Sequence, residues 1–253
     1  RKRASNSTAN ERGIELMKFF DFTYLGKRPS DFGAYVHVAT HDIGFPSKVK
    51  TVVTVPYSNQ VYDFSTMGGV QPYNERKVTY VINVVNKYGY DQVSMHQLKT
   101  EIANWLYSSN SKKELYDDKL PDYHFLAELQ EEADLKDDIR SGELTVVFTC
   151  YPFMIANKFE GDDEWDTFDF ETGIAQNVNF KINGSRTINL INDSVIPVTP
   201  EITTDAPLTI QTGGNLYQVS AGVSKEIPLQ TGTNRIDVTG QGNISFAWRR
   251  EVI

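Results

Sequence analysis

The sequence predicts a mainly β protein in two parts, an α+β domain followed by an antiparallel β-sandwich. Three observations predict it. Apolar and polar residues alternate at period two through several stretches of the first half, one stretch there repeats at the helical period, and after residue 170 no helical period appears. That last third holds only short apolar runs separated by Gly, Asn, Asp and Pro every eight to twelve residues, the spacing of a sandwich. At 253 residues the chain is long enough for one large or two ordinary domains with real cores.

The first 16 residues are basic and polar, without the apolar segment of a secretory signal. They read as an expression leader or a disordered arm ahead of a natural start at Met17, and removing them would take the formal charge from −8 to −10. Residues 18–25 are rich in aromatics and end at Gly26, which suits a strand. Residues 48–55 predict a second strand with Val49, Val52 and Val53 as core positions. Residues 76–85 predict a third, in which Val78, Tyr80, Ile82 and Val84 alternate with Lys77, Thr79, Val81 and Asn83. Between them, residues 56–74 carry Asp63, Ser65, Gly68, Gly69 and Pro72 and predict an extended hairpin tip or arm.

Ser94 followed by Gln97 has the spacing of a capping box. Met95, Leu98, Ile102, Trp105 and Leu106 then share one helical face, as an amphipathic helix lying on a sheet requires. Residues 120–140 carry both strand alternation and helix-favouring composition. The strand reading turns over an acidic tip at 131–138 and returns along 143–150 until Pro152 stops it. Residues 156–170 are an acidic connector. Beyond it short strands are expected at 178–182, 188–191, 196–202, 208–211, 217–219, 225–229 and 235–238. A closing strand has Ile244, Phe246 and Trp248 on one face.

An ordered set of motifs runs through these elements: Tyr24-Leu25-Gly26 with Asp31-Phe32-Gly33; Tyr73-Asn74-Glu75-Arg76-Lys77-Val78-Thr79-Tyr80; a helix ending in Trp105-Leu106; Val147-Phe148-Thr149-Cys150-Tyr151-Pro152-Phe153; and Gly232-Thr233-Asn234-Arg235-Ile236, followed by Gly240-Gln241-Gly242 and Phe246-Ala247-Trp248-Arg249. In that order the set resembles the distal tail proteins of long-tailed (siphovirus) phages and prophages of Gram-positive bacteria, over nearly everything after Met17. One departure is Asn192-Asp193-Ser194, where many relatives place a glycine after the asparagine.

The resemblance implies a virion structural protein with a ring-forming, tail-tube-like domain over 17–155, whose arm lies near 56–74, and a galectin-like or carbohydrate-module-like sandwich over 171–253. It implies a homo-hexameric ring at the phage tail tip, assembled in the host cytoplasm. The ring would join the tube protein to tail-associated lysin or fibre proteins, hold receptor-binding or baseplate proteins, and leave a channel through which DNA passes without specific binding. Val61, Tyr62, Phe64, Met67, Val70 and Tyr73 would be the ring interface on the arm.

Nothing in the residues calls for a catalytic group, metal, cofactor or membrane insertion. An acidic chain lacks the clustered cations of a nucleic-acid reader, and no apolar run approaches the roughly 20 residues of a spanning helix. His37 and His41 lie four apart, but on a strand that separation is about 13 Å, too far for one metal. His96 and His124 read as surface or interface residues. Cys150 reads as a buried small hydrophobe without a paired base. The stretches 131–138 and 160–166 lack the spacing of a calcium loop, and the Gly pairs at 68–69 and 213–214 lack the lysine and helix of a phosphate loop. Carboxylates are plentiful, but no spacing singles out a glycosidase pair. The other reading the residues keep open is sugar binding by the sandwich, with Tyr217 as the stacking side chain.

Overall fold

The computed structural model describes residues 20–33, 36–85, 92–137, 141–161 and 176–253. Its first lobe contains β1 (Phe22–Tyr24), a 3-10 turn (Pro29–Phe32), β2 (His37–Ile43), β3 (Val52–Thr54), β4 (Val61–Asp63), β5 (Arg76–Val85), α1 (Gln92–Leu106), β6 (Lys113–Asp117), β7 (Tyr123–Leu129), β8 (Asp134–Asp137), β9 (Ser141–Cys150) and β10 (Met154–Ala156). The antiparallel sheet runs β1-β6-β7-β9-β5-β2, with β8 also on β9 and β10 on β7. Along β5 every second side chain is buried, and Val78, Tyr80, Ile82 and Val84 are the predicted inward set. Helix α1 lays Met95, Leu98, Ile102, Trp105 and Leu106 over that face. Each such side chain contributes about 1.5–3 kcal/mol by leaving water. Trp105 closes one end of the core: its indole Nε1 donates to the Tyr24 carbonyl at 2.8 Å, and its ring stacks on Phe22 at 5.9 Å.

Three expectations are corrected here, and one strand was missed. The helix begins at Gln92, so Ser94 lies inside it and is not its cap. The acidic tip expected at 131–138 contains strand β8, which keeps the direction of β7 along β9 after an irregularity at 130–133, so the chain does not reverse before Asp137. Strand β6 had no prediction, because only Leu115 and Asp117 of its five side chains face inward and no apolar alternation marks it. Finally, Val52 and Val53 are not core residues: both are about half exposed on a two-stranded ribbon that stands apart from the main sheet.

The second lobe contains β11 (Asn179–Asn192), β12 (Glu201–Thr204), β13 (Leu208–Thr212), β14 (Asn215–Val219), β15 (Gly222–Ser224) and β16 (Gly232–Ala247). Two runs expected as separate strands on either side of Asn183-Gly184 form the single strand β11, and β16 likewise runs straight through Gly240-Gln241-Gly242. The two pair in register along their length, while β13 and then β12 attach to the other edge of β16. A ribbon that long must bend to enclose a core, and the glycines let it. A Cβ on Gly240, at φ +140, would stand 2.7 Å from Leu208 Cδ2. One on Gly242 would stand 2.5 Å from the Asp205 carboxylate. Ile182, Ile188, Ile236, Val238, Ile244, Phe246 and Trp248 fill the interior. Residues 225–229, expected as a strand, instead run beside Val198 through a single bridge at Leu229.

After Trp248 the chain returns to the first lobe. Strand β17 (Glu251–Val252) pairs with β10, placing Met154 opposite Val252 and Ile155 opposite Glu251. The Arg250 carbonyl accepts from Ala156 N at 2.8 Å, and the Arg250 guanidinium reaches both Asp193 of the sandwich and Tyr123 of β7. Glu251 is tied to both sides. Its carbonyl accepts from Val195 N, its amide donates to Ser194 Oγ at 3.0 Å, and its carboxylate accepts from Tyr151 Oη at 2.8 Å. The Asn192-Asp193-Ser194 departure thus has a local logic. Asn192 is buried, accepts from Ser194 N and donates to the Ile196 and Leu229 carbonyls, forming an Asx turn that a glycine is not needed to make.

Candidate functional site

Residues 47–74 form an arm that leaves the first lobe beside β5 and returns to it. Its root is built tightly. Asn74 N donates to the Ser47 carbonyl, Val49 N to Pro72 O at 2.9 Å and Gly44 N to Lys77 O at 3.0 Å. Buried Arg76 donates from Nε to the Gly44 carbonyl, with its guanidinium 5.5 Å from the centre of the Phe125 ring. Gly44 is required because a Cβ there would meet Lys77 O at 2.9 Å. Tyr73, expected on the interface, is half-buried at this root and packs edge-on against Phe153 at 5.3 Å.

Outward from the root, β3 and β4 pair Val52 with Asp63, Val53 with Tyr62 and Thr54 with Val61. Polar clamps hold the ribbon in shape. Lys50 Nζ donates to Asp63 Oδ2 at 2.7 Å, Ser65 N donates to Asp63 Oδ1, and Ser65 Oγ accepts from Thr51 N. The Lys50 ammonium, ahead of the Ser65 hydrogen bonds, holds the Asp63 carboxyl well below the usual carboxylate range. The returning segment is pinned by Gln71, whose amide nitrogen donates to the Val49 and Pro72 carbonyls.

The arm's apolar side chains are left in solvent. Val61 and Tyr62 are each 55% exposed, Phe64 42%, Met67 80% and Val70 37%. One ribbon face is apolar, with Val53, Tyr62 and Phe64 on the same side, while the other mixes Val52 and Val61 with Thr54 and Asp63. Two strands without a covering layer are marginal in water, and this much contiguous apolar surface marks an interaction site. The arm begins earlier than expected, since 48–55 is its outgoing leg. Sequence reasoning therefore missed Val52, Val53 and the tip residue Tyr57. The near-mirror apolar content of 52–57 and 61–67 about Ser58-Asn59 was the available hairpin signal.

The other candidates sit elsewhere. Tyr217 lies on β14, half-buried and packed against the sandwich core opposite Ile210. His37 and His41 both lie on β2, and His41 Nδ1 pairs with buried Asp117 at 3.0 Å, which Tyr80 Oη also contacts at 2.9 Å. His96 is exposed on α1. His124, by contrast, is buried at the junction of the lobes, with Nδ1 2.7 Å from Asn157 Oδ1. Burial pushes the Cys150 thiol up to about 12, so it stays protonated at neutral pH, as an unreactive structural cysteine does. Among the described residues, no three His, Cys, Asp or Glu gather as metal ligands, and no helix is long and apolar enough to cross a membrane. Of the acidic stretch at 160–166, residues 162–166 lie outside the described residues.

No protein-family model and no curated protein matches the chain. A solved structure, however, shares the fold. The crystal structure of SPP1 Dit (gp 19.1), described as a paradigm of the hub adsorption apparatus in phages infecting Gram-positive bacteria, is similar over 92% of this chain and 99% of that one. The TM-score is 0.65 and the sequence identity 12%. At that identity the likeness shows the fold.

Proposed function

We propose that this chain is a structural protein of a phage tail tip, a hub that closes into a hexameric ring. The ring joins the tail tube above to tail-associated lysin or fibre proteins and receptor-binding or baseplate proteins below. The first lobe, over 17–155, forms the ring wall around a DNA channel, and the sandwich, over 171–253, faces outward. The single observation that carries this reading is the arm: an ordered ribbon whose apolar side chains are left exposed among the described residues, on a chain with the fold of a hub protein. An interface that closes by rotation needs two different faces on each subunit, and the arm is one of them. The net charge of −8 suits a conduit, because it repels passing phosphates.

The test is the absolute mass in solution by light scattering, with negative-stain images of the same fraction across a range of concentrations. A six-fold ring with a central hole, or two rings stacked, is the expected result. A monomer that persists at every concentration refutes self-assembly.

A further inference from the structure

An interface of this type needs a receiving face as well as an arm, and the structure holds one apolar hollow suited to that role. Between the C-terminal half of α1, the ends of β5 and β9 and the loop leading into β8 lies a partly enclosed cavity of about 310 Å³. Val84, Ile102, Leu106, Ala133 and Leu144 form its floor, and Lys99 and Glu132 stand at its polar rim. It is held open by Tyr107, whose hydroxyl donates to the Glu131 carbonyl at 2.8 Å and accepts from Ala133 N at 2.9 Å, tying the loop to the end of the helix. Among the described residues no side chain of the same chain fills it.

At the far end of the arm stands Tyr57. It is fully exposed and has φ +60, a left-handed backbone that a bulky residue rarely adopts. A turn that needed only to reverse the chain would place glycine or asparagine there. A tyrosine held in that conformation, with its ring in solvent, is a side chain presented to something else.

The two features do not meet within one subunit, because Tyr57 is fully exposed. The arm roots beside Arg76, whereas the cavity opens beside Val84 at the other end of β5, about 26 Å away at roughly 3.3 Å per residue. Projection and hollow on opposite ends of one chain make a heterologous contact between copies, which propagates around a ring. A cavity of this size takes one aromatic side chain and little more.

We propose that Tyr57 of one copy seats in the cavity between α1 and β8 of the next copy, making this hollow the receiving face of the ring. The proposal rests on the ring reading above and names the residues that would complete it. Ala103, exposed on α1 at the cavity rim, and Tyr57 become the test positions.

The full chain carrying Tyr57→Cys and Ala103→Cys is treated with a short bis-maleimide linker and run on a denaturing gel. The native Cys150 is buried, and the unmodified chain serves as the control for it. The expected result is a covalent ladder up to the full ring for the double variant, and dimers only when the two single variants are mixed. Pairing Tyr57→Cys with Leu216→Cys, which is exposed on the sandwich, should give no ladder. Tyr57→Ala should raise the concentration at which rings form at least tenfold. Rings that assemble yet give no link between positions 57 and 103 overturn the proposal and leave the ring reading standing. An unmodified chain that never assembles overturns both.

Discussion

Deleting residues 58–71 should leave a folded protein that no longer closes a ring. Neither apolar core contains a residue from that segment, so both lobes keep their packing, and residues 50–57 remain as a short loop between the paired Val49 and Pro72. The size of the assembly defect follows from exposure. With about 200 Å² for a whole aromatic side chain, the exposed parts of Tyr62 and Phe64 alone offer on the order of 200 Å², or roughly 5 kcal/mol of gross burial per contact at about 25 cal/mol per Å², to which Val61, Met67 and Val70 add. Association costs about 4–15 kcal/mol, so the arm decides the sign of assembly. The milder Tyr62→Ser removes about 110 Å², close to 3 kcal/mol, and should weaken each contact about 100-fold. Light scattering reads the mass and circular dichroism the melting temperature. Hexamers that survive the deletion would refute the reasoning, and so would a deletion variant that unfolds.

Two further outcomes follow from the second lobe and its junction. Gly240→Ala places a methyl against Leu208 and 3.3 Å from the Pro207 carbonyl at a left-handed φ; it should cost about 1–3 kcal/mol and lower the melting temperature by several degrees, and an unchanged melt would show that the bend is not strained. Burial, opposed by the Tyr151 hydrogen bond, raises the Glu251 carboxyl above its usual 4.5, so the folded junction holds a proton that the unfolded chain releases. Its stabilisation is therefore complete below about pH 4.5 and is lost as pH rises through the folded value; Glu251→Gln should flatten that part of the melting-temperature profile, and identical profiles would count against the assignment.

Much of the first lobe was legible in the sequence because its elements obey one period each. The alternation along β5 and the inward face of α1 follow from local geometry that any sheet and covering helix impose. So does the all-β character of the last third. The arm was legible as an extended excursion, but its first leg was not, because Val49, Val52 and Val53 look the same whether a valine strand is buried or waiting for a partner. Strand β6 escaped because its neighbours on both edges, rather than its own side chains, hold it in the sheet.

By itself, then, the sequence determined the alternation along β5, the inward face of α1 and the all-β character of the last third. Only the tertiary structure decided that β11 and β16 run unbroken through glycines that resemble turns, that Glu251 bridges the two lobes and that the root of the arm and the α1–β8 cavity lie at opposite ends of β5. The physical reason is the range of the interactions. Periodicity, propensity and turn chemistry act over a few neighbouring residues and are written along the chain. Register, bending and the separation of two surface features depend on residues tens to a hundred positions apart, which only the folded backbone brings together.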